Sequence, residues 1–123
     1  MKTNPVGWFE IYVQDASRAK RFYETVLESN LERLPGTELE MWAFAMQNGG
    51  PGAAGTLVKM DGVPSGGNST LVYFMCDDCA VEEGRVKSSG GRIEKPKMSI
   101  GEYGFISLAI DTEGNMFGLH SMK

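Results

Sequence analysis

Two copies of one strand–helix–strand–strand–strand unit predict that this chain is an α+β protein, and three observations carry that reading. An alternating apolar stretch ends at an Asp and passes straight into a helical pattern, first over 6–27 and again over 70–89. Three short extended segments follow each helix. The length of 123 residues is that of one ordinary domain with a sizeable core. The copies, 1–61 and 69–123, therefore form a single domain spanning 1–123, joined by a linker rich in Gly, Ser and Pro.

The first strand covers 6–13. Phe9, Ile11 and Val13 share one face, and Trp8, Glu10 and Tyr12 the other. Asp15 is placed to accept from the free N–H groups of the next turn, and Ala19, Phe22, Tyr23 and Val26 then fall at helical spacing over 16–27. Arg18, Lys20, Arg21 and Glu24 lie on the opposite side of that helix, most simply as a solvated face. Extended segments follow near 30–35, 40–47 and 54–60, separated by Pro35-Gly36 and by the Gly-rich turn 48–55. Residues 62–69 lack apolar periodicity and read as the linker.

The second copy opens on 70–78, with Val72, Phe74 and Cys76 on one face and Leu71, Tyr73 and Met75 on the other. Asp78 matches Asp15 as a cap, and a weaker helix over 79–89 stops at Gly90-Gly91. Extended segments at 91–96, 104–110 and 116–121 complete the copy, the last two joined by a tight turn at 111–115. One helix covers one face of each small sheet and leaves the other face to something else.

Composition excludes several classes. Apolar residues make up 41% and charged residues 23%, which is globular, and a net charge of −4 without a Lys/Arg run argues against nucleic acid. No apolar stretch approaches membrane-spanning length, and MKTNPVGW lacks the apolar core of a secretory signal. With only two cysteines, a reducing cytoplasm is the expected compartment.

The repeated order, the opening FEIYVQDASRAKRFYETVL and the closing IGEYGFISLAIDTEGNMFGLHS resemble the vicinal oxygen chelate superfamily over essentially the whole chain. That group includes glyoxalase I, bleomycin-resistance proteins, fosfomycin-resistance enzymes and extradiol dioxygenases. The resemblance implies paired βαβββ modules whose mixed sheets curl around a cavity, often completed by a homodimer. In metal-using members, four strand positions around the cavity supply His or Glu ligands. Carried over, these fall on Trp8, about Gly55, Leu71 (Thr70 if the register slips by one) and Gly118. None offers an imidazole or carboxylate, and His120 is the sole histidine, so the expectation is no metal and no cofactor.

In that register the cavity is lined by Trp8, Glu10, Tyr12, Leu71, Tyr73, Met75, Gly118 and His120. An aromatic lining with one carboxylate and one imidazole suits a small organic ligand with a flat or cationic part. The competing account is ordinary core filling the space between sheets. Glu10, in mid-strand, must face water, a partner or a cavity, and with His120 it is a candidate acid–base group. A salt bridge or dimer contact accounts for Glu10 equally well, and an exposed C-terminal position accounts for His120. Alternation leaves open which face Trp42, Phe44 and Met46 take, with packing beneath the helix the better account. Cys76-Asp-Asp-Cys79 matches C-x-x-C, but its first Cys falls at a buried strand position and no second pair exists. The 111-DTEGN-115 segment lacks the spaced ligands of a calcium loop and reads as a turn.

Three functions follow, in this order. The first is a metal-free protein that binds a small molecule, of the bleomycin-resistance or sequestering kind. The second is a glyoxalase-like lyase or isomerase, or another enzyme of the superfamily, with an unusual site. The third is a structural or regulatory dimer module without a ligand.

Overall fold

A computed structural model describes residues 4–36, 38–47 and 50–123. Asn48 and Gly49 of the Gly-rich turn, and Met1, Lys2 and Thr3 of the N-terminal segment, lie outside the described residues. The first module runs β1 (Trp8–Tyr12), α1 (Ala16–Leu27), β2 (Glu32–Arg33), β3 (Glu40–Ala43) and β4 (Ala54–Lys59). The second runs β5 (Tyr73–Met75), α2 (Cys79–Val86), β6 (Arg92–Ser99), β7 (Phe105–Ile110) and β8 (Met116–Ser121). Each module builds a four-stranded mixed sheet, ordered β1-β4-β3-β2 and β5-β8-β7-β6, with the first pair parallel and the others antiparallel. The sheets are not closed on one another.

Both helices start as the residues require. The Asp15 carboxylate accepts from the Arg18 N–H at 3.0 Å, and the Asp78 carboxylate from the Ala80 N–H at 3.0 Å. The α1 stripe of Ala16, Ala19, Phe22, Tyr23 and Val26 is buried. β3 ends at Ala43, short of the 40–47 expectation; Trp42 and Phe44 nonetheless pack beneath the helix, while Met46 is exposed. β6 extends to Ser99, beyond the predicted end at Pro96. It is an edge strand with two register shifts, the setting in which a proline lacking its N–H is tolerated.

The modules share one core. Phe9, Phe22, Tyr23 and Phe44 from the first module meet Phe74 and Phe117 from the second, with ring centroids 5.0–6.2 Å apart. All nine of these contacts are tilted or edge-to-face, and the ring quadrupoles favour the edge-to-face ones.

The DTEGN turn is tied into the opposite module. Its Asp111 carboxylate accepts from the N–H groups of Glu113 and Asn115, both at 2.8 Å, which closes the turn. The other Asp111 oxygen accepts from the Tyr23 hydroxyl at 2.6 Å. The Glu113 carboxylate accepts from the Gln14 and Asp15 N–H groups at 2.9 Å and from the Arg18 guanidinium at 2.7 and 3.0 Å. Arg18 is therefore not part of a merely solvated face. Residues 62–69 are a strap rather than a free linker: Ser65 donates to the Glu113 carbonyl at 2.6 Å, and the Gly66 N–H donates to the Asn115 side chain at 2.6 Å.

Candidate functional site

The strands β1 and β5 lie at the sheet edges, and a cleft of about 620 Å³ opens where they, the strap and the start of β8 come together. Alternation along β1 turns Ile11 into the core and leaves Trp8 and Glu10 exposed and Tyr12 half-buried. Of the residues expected around the cavity, Trp8, Glu10, Tyr12, Leu71 and Tyr73 line this cleft. Met75, Gly118 and His120 lie outside its lining, although Tyr73↔Gly118 and Met75↔His120 are register partners on one sheet face.

Glu10 accepts from the Tyr12 hydroxyl at 2.9 Å, and this bond, with burial and the nearby negative charge, raises the phenol's pKa. Glu10 faces water at the cleft mouth, one of the three surroundings open to a mid-strand carboxylate. His120 is half-buried, and its Nε2 lies 2.7 Å from the Tyr103 carbonyl. A carbonyl only accepts, so Nε2 carries the proton in that bond. The two candidate acid–base groups are thus not brought into one cleft.

One carried-over position needs correction. Gly55 lies on the helix side of β4, where a Cβ would sit 2.5 Å from both the Phe9 ring and its carbonyl oxygen. Glu10 pairs with Thr56 as Tyr73 pairs with Gly118, so Thr56 is the position equivalent to Gly118 in the repeat. The sequence-level assignment slipped by one residue, which on a strand reverses the face. Trp8, Thr56, Leu71 and Gly118 supply neither imidazole nor carboxylate, so these residues do not fit the divalent metal that the sequence resemblance implies. No group of three or more His, Cys, Asp or Glu side chains able to hold a metal exists among the described residues. On Gly118 itself, a Cβ would clash with the Tyr73 ring, so the glycine leaves room for that ring against β8.

Loop residues in the lining escaped the period-two reading, chiefly Asn68 and Asn115. Both are structural in part. The Asn115 amide donates to the Tyr12 carbonyl at 2.9 Å, and the Asn68 side chain accepts from the Met116 N–H at 3.1 Å. The one available signal was the clustering of Asn with Gly in turns. Cys76 and Cys79 are unlinked. Burial, reinforced by Glu82, pushes the Cys76 thiol up to about 12, so a reactive thiolate is absent there at neutral pH. The neighbouring Asp78 is instead drawn into the helix cap and an ion pair with Lys97 at 2.8 Å.

No helix among the described residues is long and apolar enough to cross a membrane. No family model matches the sequence, and a search of curated proteins gives no match. Solved structures are similar along the whole chain. TnmS3, an antibiotic binding protein from Streptomyces sp. CB03234, is 26% identical with a TM-score of 0.67, covering 98% of each chain. A glyoxalase/bleomycin resistance protein from Albidiferax ferrireducens T118 is 16% identical with a TM-score of 0.74, covering 96% of this chain and 98% of that one. The fosfomycin resistance protein FosX from Listeria monocytogenes is 14% identical with a TM-score of 0.68, covering 98% and 92%.

Proposed function

We propose, for a chain with the glyoxalase/bleomycin-resistance fold of the vicinal oxygen chelate superfamily, that the cleft binds a small organic molecule with a flat or cationic part and without a metal. The observation that carries this is the lining. Trp8, Tyr12 and Tyr73 present aromatic surface, Glu10 is the one carboxylate in the lining, and no Lys, Arg or His contributes among the described residues. Ring faces and a single uncompensated carboxylate attract a cation and stack on a planar group. TnmS3 is described as antibiotic-binding, which supports sequestration over turnover.

Trp8→Ala tests this. Trp8 is 42% exposed, so its truncation is expected to cost under about 1 kcal/mol of stability, far below the roughly 3–5 kcal/mol of an emptied buried aromatic site. Binding of planar cations, read by tryptophan fluorescence and by thermal shift, is expected to weaken in the variant. A large destabilisation without any ligand effect across such compounds would retire the reading.

A homodimer belongs to the same proposal. Met75, Met98, Tyr103 and Met122 are exposed in the second module, and a second copy would cover apolar surface of this kind. Sedimentation at micromolar concentration is expected to give twice the chain mass. A monomer throughout that range would count against it.

A further inference from the structure

A second groove, of about 320 Å³, lies where α1, the corner after α2 and the β7–β8 turn converge. It owes nothing to the reading of the larger cleft. Arg18, Arg21 and Thr25 descend one side of α1, and Ser88, Ser89 and Thr112 stand opposite. The corner can approach because Gly91 has no side chain: a Cβ there would meet the Phe22 ring at 2.8 Å and the Ile110 carbonyl at 2.5 Å.

Its charge is one-sided. The lining contains no acidic residue. Glu113 lies behind it and neutralises Arg18 through the ion pair at 2.7 Å. The Arg21 guanidinium has no hydrogen-bond or ion-pair partner among the described residues. Three hydroxyl protons are already committed: Thr25 donates to the Arg21 carbonyl, Ser88 to the Arg85 carbonyl and Thr112 to Glu113. The Ser89 hydroxyl is uncommitted among the described residues. A free planar guanidinium and a free hydroxyl facing one groove that has no acidic lining match the tetrahedral oxygens of a phosphate group.

We infer that this groove binds a phosphate group, with Arg21 as the bidentate donor and Ser89 as its second. The groove is larger than a bare phosphate fills, which favours a small phosphomonoester over the inorganic ion.

Amide spectra of the full chain titrated with inorganic phosphate, and separately with glycerol phosphate, test this against chloride at matched ionic strength. The expected result is saturable shifts at Ser88–Gly91 and Thr112, half-complete at roughly millimolar phosphate, with glycerol phosphate binding more tightly. Arg21→Gln, at an exposed position, is expected to weaken both about tenfold, while Trp8→Ala leaves them unchanged. Equal binding of the two phosphates retains the site and assigns it to the free ion. Shifts that match those with chloride, or that survive Arg21→Gln undiminished, would overturn the inference.

Discussion

Glu113→Gln is expected to lower stability by about 3 kcal/mol at neutral pH, the low end for removing one partner of a buried pair. The low end applies because Arg18, 49% exposed at its side chain, can turn back to water, whereas the Glu113 side chain is fully buried. An amide retains one acceptor oxygen and turns an NH₂ group toward the donors of Gln14, Asp15 and Arg18. The pH dependence gives a second readout. Burial alone would raise the Glu113 pKa, but the Arg18 guanidinium and the two backbone N–H groups outweigh it and hold the carboxyl at about 2, below its ordinary 4.5. A depressed folded pKa contributes stability that is complete above the unfolded value and lost as pH falls through the folded one. That contribution, about 3 kcal/mol, should fade between about pH 5 and pH 2. Asp111, whose pKa is raised chiefly by burial, acts in the opposite sense as it protonates. Denaturant unfolding at neutral and acid pH should therefore show a shallower acid loss in Glu113→Gln than in the parent. Matching slopes, or an unchanged midpoint at neutral pH, would show that the turn does not hold the modules together.

Gly55→Ala should cost a similar amount, about 3 kcal/mol, through overpacking rather than lost charge. The added carbon would meet the carbonyl oxygen of Phe9 on the adjacent parallel strand, which no rotamer change can move aside. Gly7→Ala is the internal control, because nothing lies within 4 Å of a Cβ there. Urea midpoints of the two variants decide the matter; a loss below about 1 kcal/mol in Gly55→Ala would mean that β1 and β4 separate readily.

The features legible in the sequence were those set by neighbours along the chain. The alternation around Trp8, the caps at Asp15 and Asp78 and the stripe through Phe22 and Tyr23 depend on spacing alone. Contacts between distant segments were not legible. Glu113 meets Gln14 and Asp15 across more than ninety residues, and nothing about a Glu in a turn announces that it completes another module's helix start. The slip from Thr56 to Gly55 has a different cause: the Gly-rich approach to β4 contains no apolar alternation to fix its parity. His120 was a candidate by face, but its bond to the Tyr103 carbonyl is made by a short turn with no periodicity to read.

The strap also bears on how halves of this molecule could be traded between copies. Built from two similar modules, the chain has the connectivity that permits domain swapping. Opening it would break the bonds from Ser65 and Gly66 and separate Phe74 and Phe117 from Phe9, Tyr23 and Phe44. Each module keeps its own helix and four-stranded sheet, so the barrier to exchange lies in the strap bonds and the shared aromatic contacts, and a swapped pair would re-form the same contacts between copies.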